Sequence, residues 1–451
     1  MADIFTGGEV QEREKGSIHP SFWKKQVREA FGSDPYKLII ELIKNAADSY
    51  IRLKNSNKMQ PPFNIFVEID APFKKLVPIL TVKDNAEGMT KQELSTALEY
   101  ATITSIMDKS SLTSAEKGVG LKDALMAMIL FGNKDRIITI KNNKISIAEK
   151  DKNFMTNWIK KDASVSEEDR KESGIPENGT IIYGTLPSFF KDKKFNTIAE
   201  KLSKHFLLRK LLQIDDFKVH LIDGYTKQEE ILTYKFPQKK SKLIDEDFYI
   251  EYKNEKYKAH IKIYEAEKNL EGKKPFGETG LLIYSGLYSV LDLSLGSYEN
   301  DPRFANIFGE VYLDILNLEQ KIRNGEEDPL VDNKRHGLIT SNEFNLKLLQ
   351  QINNYLEKII QNKEEGETYT VNDNEILKYI NKITKEISGS GSEYIPPITP
   401  KYFEFYPNYK EIKERSQETI DLIINAMEMK SDSVIKLKST DPNFKISPQE
   451  I

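Results

Sequence analysis

Glu41-Leu42-Ile43-Lys44-Asn45-Ala46-Ala47-Asp48 is the stretch from which the rest of this 451-residue chain can be read. At about 3.6 residues per helical turn, positions 41, 45 and 48 fall in one narrow sector, and Ile39, Ile43, Ala46, Ala47 and Tyr50 take the opposite side. A helix here points two carboxylates and an amide at one spot. For the octet alone two readings stand open: the solvated face of an amphipathic helix, or a cluster aimed at a ligand. Asp34-Pro35 just upstream supplies a cap and a first-turn proline, so the spacing predicts a helix running to about Leu53.

Working outward, residues 1–20 are polar and contain glycine, and Phe22 to Phe31 reads as a short helix ending at Gly32. Downstream, Asn64 to Asp70 alternates as a strand and Pro78 to Val82 forms a second. The second runs into Lys83-Asp84-Asn85-Ala86-Glu87-Gly88-Met89. An acidic residue at a strand end, followed by a small residue and a glycine, lets backbone approach a planar ligand while the carboxylate accepts a hydrogen bond from an exocyclic amine. The same turn standing alone is also an ordinary tight turn. A helix from Lys91 to about Ala101 follows, then a Thr/Ser/Lys-rich segment from Thr102 to Ala115. Glu116-Lys117-Gly118-Val119-Gly120-Leu121-Lys122 opens an apolar helix to Leu130. Glycines at a helix start expose backbone N–H groups and the positive end of the dipole, which favours phosphate. Ile137 to Ile140 and Lys144 to Ala148 read as a hairpin, and Asn178-Gly179-Thr180 enters another strand.

These elements, in this order, resemble the GHKL ATPases, the superfamily of gyrase B, the large heat-shock chaperone, histidine kinases and MutL. The match covers roughly residues 20 to 190. Glu41, Asn45 and Asp48 match the N box, Asp84 to Met89 the adenine-binding motif, Gly118 and Gly120 the phosphate-binding glycines, and Gly179-Thr180 the last strand motif. The family usually has glycine where Ala86 and Ala115 stand. Alanine costs little there if φ is below zero.

The resemblance implies an α+β chain with an N-terminal Bergerat-type ATP-binding α/β sandwich, ATP as substrate and Mg²⁺ as cofactor. Glu41 would be the general base and Asn45 the oxygen ligand of the metal. Asp84 would read the adenine amine beside Ala86, Gly88 and Met89, with Thr180 as helper through a bridging water. Gly118, Val119, Gly120, Leu121 and Lys122 would meet the phosphates, and Thr104 and Ser105 lie where the family's mobile lid begins. Asp48 is either structural or holds a second contact to the nucleotide.

Beyond Thr180, Phe189 to Leu212 has helical spacing, its Lys/Arg cluster fitting a solvated side. Strand-like runs follow at 217–222, 248–252, 257–265, 280–284 and 309–313. The arrangement resembles the transducer domain of gyrase B, MutL and the MORC proteins, and assigns 1–20 to an arm, 21–190 to the ATP domain and 191–340 to a transducer-like α+β domain. A helical segment at 341–388 and a flexible link with a helical tail at 389–451 complete it. In this superfamily the transducer often sends a basic side chain to the γ-phosphate. Lys334 and Arg335, in Val331-Asp332-Asn333-Lys334-Arg335-His336-Gly337-Leu338, are the candidates; an exposed basic turn is the alternative.

Composition narrows the class. Cysteine is absent, which excludes disulfides, thiolate zinc sites and thiol nucleophiles and agrees with a reducing cytosol. His19, His205, His220 and His260 are scattered without ligand spacing, and His336 reads as a turn residue. A net charge of −4 with 30% charged residues gives no global drive toward nucleic acid or anionic lipid. No apolar run has the length of a membrane span, and Met1 to Gly8 lacks a basic stretch followed by an apolar one, so a cytoplasmic protein is expected. Three classes remain. A hydrolysing switch would dimerise on ATP and act on an effector protein or DNA, as in a DNA-maintenance or phage-defence system. A histidine-kinase-like protein kinase would lack Glu41 and carry an acceptor histidine on a preceding helix pair. A non-hydrolysing nucleotide-binding module would have no use for Glu41 with Asn45. The switch fits best, with a layout closest to the MORC, MutL and chaperone branch.

Overall fold

Every second residue of Phe63-Asn64-Ile65-Phe66-Val67-Glu68-Ile69-Asp70 is buried and the others are half-exposed, the period of two that a strand covered on one face requires. This strand lies within a nine-stranded sheet. The computed structural model describes residues 10–14, 20–70, 77–98, 120–132, 134–151, 155–270, 273–299, 301–331, 337–366, 403–406 and 421–424. In chain order the first elements are β1 (Glu12–Glu14), α1 (Pro20–Phe31), α2 (Tyr36–Asn55), β2 (Phe63–Asp70), β3 (Ile79–Asp84) and α3 (Lys91–Leu98). Then come α4 (Gly120–Ala127), which runs on as a π-helical turn, β4 (Asp135–Lys141), β5 (Lys144–Lys150), β6 (Thr156–Ser164), α5 (Glu167–Ser173) and β7 (Gly179–Thr185). The run is completed by α6 (Phe195–Lys204), α7 (Phe206–Leu212), β8 (Phe217–Asp223) and β9 (Glu229–Leu232).

Among the described residues the sheet order is β1-β6-β5-β4-β7-β3-β2-β8-β9. Within this sheet, among the described residues, β2 and β8 are the one parallel pair. On one face α1, α2 and α4 lay Val27, Phe31, Ile39, Ile43, Ala47 and Leu125 onto Ile65, Val67, Leu80 and Val82. The other face carries a smaller core of Ile138, Ile140, Ile145, Ile147, Ile159, Ile175 and Ile181.

Several elements differ from what the sequence leads one to expect. Strand β8, expected from the run at 217–222 to open the second domain, belongs to the first sheet, where Phe63 to Ile69 of β2 align with Phe217 to Asp223, and β9, which the sequence reading does not include, extends that sheet beyond it. The long helix expected over 189–212 breaks at His205, whose backbone is extended and whose Nδ1 accepts from Leu207 N at 3.2 Å. Asp34 does not cap α2. Its carboxylate faces the buried His205 Nε2 at 2.7 Å, and Pro35 takes the capping position without a side-chain bond. The cationic cluster on this segment is not all solvated either. Arg209 is 2% exposed and forks onto the carbonyls of Lys204 (2.7 Å) and Gly277 (2.6 Å).

A second sheet follows, made of β10 (Lys239–Tyr252), β11 (Glu255–Ala266), β12 (Gly280–Ser285), β13 (Ser289–Ser294) and β14 (Ile307–Leu313), in the order β10-β11-β14-β12-β13. Helices α8 (Leu316–Arg323) and α9 (Glu343–Gly366) join its core, which includes Ile261, Ile283, Val311, Leu318, Phe344 and Leu348. Leu282, Tyr288, Val290 and Leu293 instead enter the core of the first sheet, so residues up to Gly366 form one compact unit.

Residues 367–451 form a separate unit, of which two short antiparallel strands are described, β15 (Phe403–Tyr406) and β16 (Asp421–Ile424). Within the tail expected to be helical at 389–451, Asp421–Ile424 is a strand, and Leu422-Ile423-Ile424 suits a ladder as well as a helix.

Candidate active site

Helix α2 is not amphipathic in its first half: every residue from Tyr36 to Lys44 is buried. That decides between the two readings of its polar sector. Glu41 is 6% exposed and Asp48 2%, so these carboxylates are held away from bulk water. Burying carboxylates is expensive unless charge or hydrogen bonds offset it, and a fold keeps them where they have work. The Glu41 carboxylate lies against the first residue of α4. A Cβ placed on Gly120 would come within 2.4 Å of its Oε2, so only glycine leaves room for the acid there. One turn on, the Asn45 Nδ2 is buried without a hydrogen-bond partner among the described residues. Asp48 accepts from the buried hydroxyl of Tyr288, which arrives from the turn between β12 and β13.

The segment leaving β3 is fastened to the same helix. Asn85 N donates to the Tyr50 oxygen at 2.8 Å, Glu87 N to Ser49 Oγ at 3.2 Å, and Arg52 Nε pairs with Glu87 Oε2 at 2.8 Å. From the other side, Met89 N donates to Thr139 Oγ1 on β4 at 2.7 Å. Gly88 has φ +61°, and a Cβ there would lie 2.0 Å from the Ile140 carbonyl, so this position admits glycine alone. Ala86, where the resemblance leads one to expect glycine, is absent from the positive-φ residues, and its methyl is 3% exposed. The replacement therefore adds buried apolar surface without backbone strain.

Asp84 closes the site. It pairs with Thr180 across the β3–β7 ladder and is 8% exposed, as is Thr180. Burial pushes its carboxyl up to about 7, against the pull of the backbone N–H of Ala86, which donates to Oδ1 at 2.9 Å, and of hydrogen bonding from the Thr180 backbone and the positive charge of Arg52.

Glu41, Asn45, Asp48, Asp84, Ala86, Gly88, Met89, Gly120 and Thr180 are thus carried by α2, the β3 exit, the α4 head and β7. Met89 and Leu121 pack partly buried against the first core, and Lys122 is 3% exposed on α4. Thr104, Ser105, Ala115, Gly118 and Val119, and Lys334 with Arg335, lie outside the described residues. Sequence reasoning missed Ser49, Tyr50, Arg52 and Thr139, which position the Asp84–Met89 segment. Their only signal was that three of them continue the octet's helix.

The donor set suits a nucleotide: the orphaned Asn45 Nδ2 is a donor for a phosphate oxygen, and it is the oxygen of the same amide that a hard cation would take. The orphaned Asn45 amide and the buried, unpartnered Asn85 Oδ1 are polar atoms that a ligand can satisfy. Among the described residues no group of three or more His, Asp or Glu is placed to hold a metal alone, so a cation at Asn45 would take most of its ligands from phosphate and water. No described helix is long and apolar enough to cross a membrane.

Residues 34–177 match the model of the family described as histidine kinase-, DNA gyrase B-, and HSP90-like ATPase. No curated protein matches the chain.

Proposed function

We propose, on the premise that residues 34–177 are an ATPase domain of the histidine kinase-, DNA gyrase B- and HSP90-like type, that the chain is an ATP-hydrolysing conformational switch. The observation that carries this is the Glu41 carboxylate, buried and lodged against Gly120 at the head of α4. A helix start favours phosphate oxygens, so a water between them and Glu41 is within reach of a base. Glu41 takes the proton as that water attacks the γ-phosphate, the bond from the γ-phosphorus to the bridging oxygen breaks, and ADP leaves. The backbone of Gly120 and Leu121 receives the phosphates, with Lys122 beside them; Gly118, Val119, Thr104 and Ser105, to which the resemblance gives the phosphates and their lid, lie outside the described residues. Asn45 would hold Mg²⁺, which when bound neutralises charge growing on the phosphate oxygens. Asp84 accepts from the adenine amine, with Thr180 helping through water.

The raised carboxyl gives this contact a pH signature. Ionised Asp84 is the better acceptor for the amine, and its pKa near 7 lies well above the ordinary value. Binding therefore favours proton loss: affinity for ADP falls as pH drops through about 7, approaching about tenfold per pH unit below it. In Asp84→Asn, binding is severely weakened and the slope disappears. Calorimetry at a series of pH values checks both, and a flat wild-type affinity would take Asp84 out of the adenine contact.

Dimerisation on ATP belongs to the same reading. Strand β1 sits on the open edge of the first sheet, pairing Glu12 with Trp158 and Glu14 with Thr156 of β6. An edge strand of three residues at the end of an arm can make the same ladder with a second copy at little net cost. Ile4, Phe5, Gly7 and Gly8 of the arm lie outside the described residues. Glu41→Ala loaded with ATP and Mg²⁺ should run as a dimer in light scattering, while the apo and ADP forms, and a chain starting near Ser21, stay monomeric. A dimer indifferent to nucleotide and arm would place association elsewhere. A γ-phosphate contact from Lys334 or Arg335, and an effector protein or DNA as the object of closure, complete the switch in the manner of the MORC, MutL and chaperone branch.

A further inference from the structure

The turn that joins β12 to β13, Gly286–Tyr288, is in an unusual place. Hairpin turns run over the surface, and Leu287 is exposed, but Tyr288 beside it is 1% exposed and inserted into the core of the first sheet. Its hydroxyl donates to Asp48, the last member of the Glu41–Asn45–Asp48 face of α2. A phenylalanine would fill the same volume but leave the buried Asp48 carboxylate without this donor, so what the tyrosine adds is a fixed contact. Burial, and then the Asp48 charge, hold the phenol well above its usual pKa, and it remains a donor.

A second route leads from the same ring to the other half of the site. Tyr288 meets Phe217 edge-on at 5.9 Å, Phe217 meets Phe63 at 5.4 Å, and Phe63 stacks on Tyr50 at 5.1 Å. Tyr50 is the residue whose oxygen receives Asn85 N beside Asp84. One side chain from the second sheet thus touches the helix bearing Glu41 and Asn45 and, through three rings, the segment bearing Asp84. At its other end the turn is anchored in the second sheet. Ser285, preceding it, donates to the buried Glu319 of α8, and Asp292 on β13 accepts from Leu338 N at 3.0 Å and pairs with Lys274.

We propose that Tyr288 is the positioning residue that couples the nucleotide site to the second sheet, holding the Asp48 end of the α2 face in register with the β12–β13 hairpin. This rests on the ATPase reading and adds to it where occupancy of the site is transmitted. Coupling of this kind needs an element that both sites bias, and here it is the hairpin.

The test uses the full chain with a non-hydrolysable ATP analogue and Mg²⁺, read by amide hydrogen exchange over residues 280–294 and by ATP turnover. In the wild type the analogue slows exchange across this hairpin. Tyr288→Phe binds the analogue within about threefold of wild type, shows no nucleotide-dependent change there, and loses about tenfold in kcat with KM nearly unchanged, the scale of one hydrogen bond to a charged group. Asp48→Asn, which leaves the hydroxyl an acceptor, keeps the nucleotide-dependent change. A hairpin indifferent to nucleotide in the wild type, or equally responsive in Tyr288→Phe, overturns the coupling while leaving the ATPase reading in place. A wild-type chain that binds no analogue removes the reading and the coupling together.

Discussion

Glu41→Ala binds ATP about as tightly as the wild type and hydrolyses it about 10²–10⁴-fold more slowly, the range in which a general base contributes to rate. The two halves of this expectation have different causes. A base acts on charge and proton position that exist only in the transition state, so its removal leaves ground-state binding intact and lowers kcat. On the proposed reading binding rests on other groups: Asp84 at the end of β3, and the Ser49, Tyr50, Arg52 and Thr139 side chains that hold its segment in place. Glu41 is not needed to build the core either, because the buried apolar residues of α2 point to the sheet and to α4. Phosphate release under saturating ATP, paired with calorimetry on the same protein, separates the two. Wild-type turnover in Glu41→Ala would strip the switch of its chemistry, and loss of binding in parallel with rate would make Glu41 a binding group instead.

The parts of the site legible in the sequence are those whose spacing is local. Glu41, Asn45 and Asp48 share a face by helical geometry alone, and Asp84 to Met89 reads as a ligand turn because glycine and a small residue follow an acid at a strand end. Periodicity could not say whether that face is wet. Its burial comes from α4 and the second sheet, elements that approach from far along the chain.

Long-range partners account for the misreadings too. Asp34 has the residue type and place of a cap, but His205, 171 positions on, competes for its carboxylate and wins. Tyr288 is 240 positions from Asp48, and no local pattern distinguishes it from the other tyrosines of the chain. Strand β8 reads correctly as a strand, but its parallel pairing with β2 is invisible to any window shorter than the whole domain, and β9, four residues with one of them buried, carries no alternation by which to read it. Helix α5 is a different kind of miss. Ser166 and Asp169 form a capping box and Gly174 takes the left-handed position at its end, all of which the sequence spells out locally.

Gly120→Ala is expected to leave the fold intact and to cut turnover about 10²-fold. At most glycines in tight places an added methyl meets backbone, and the fold must yield. At Gly120 the nearest atoms are all in the Glu41 side chain, Oε2 at 2.4 Å and the carboxyl carbon at 3.2 Å. The end of a side chain can rotate away, so the cost to stability is small. What cannot survive is the position of the carboxylate: the methyl occupies its place, and a displacement of about 1 Å at a reacting group is enough to lose about two orders of magnitude in rate. Thermal melting should therefore stay near that of the wild type while kcat falls, the signature of a misplaced base rather than a damaged core. The double variant Glu41→Ala with Gly120→Ala fixes the interpretation. If the methyl acts only by moving the acid, it slows nothing further once the acid is gone, and the two losses do not add. A second, independent loss in the double variant would mean that the methyl also disturbs the phosphate-receiving backbone around Gly120. Unchanged turnover in Gly120→Ala alone would mean that the carboxylate does its work from somewhere other than the head of α4.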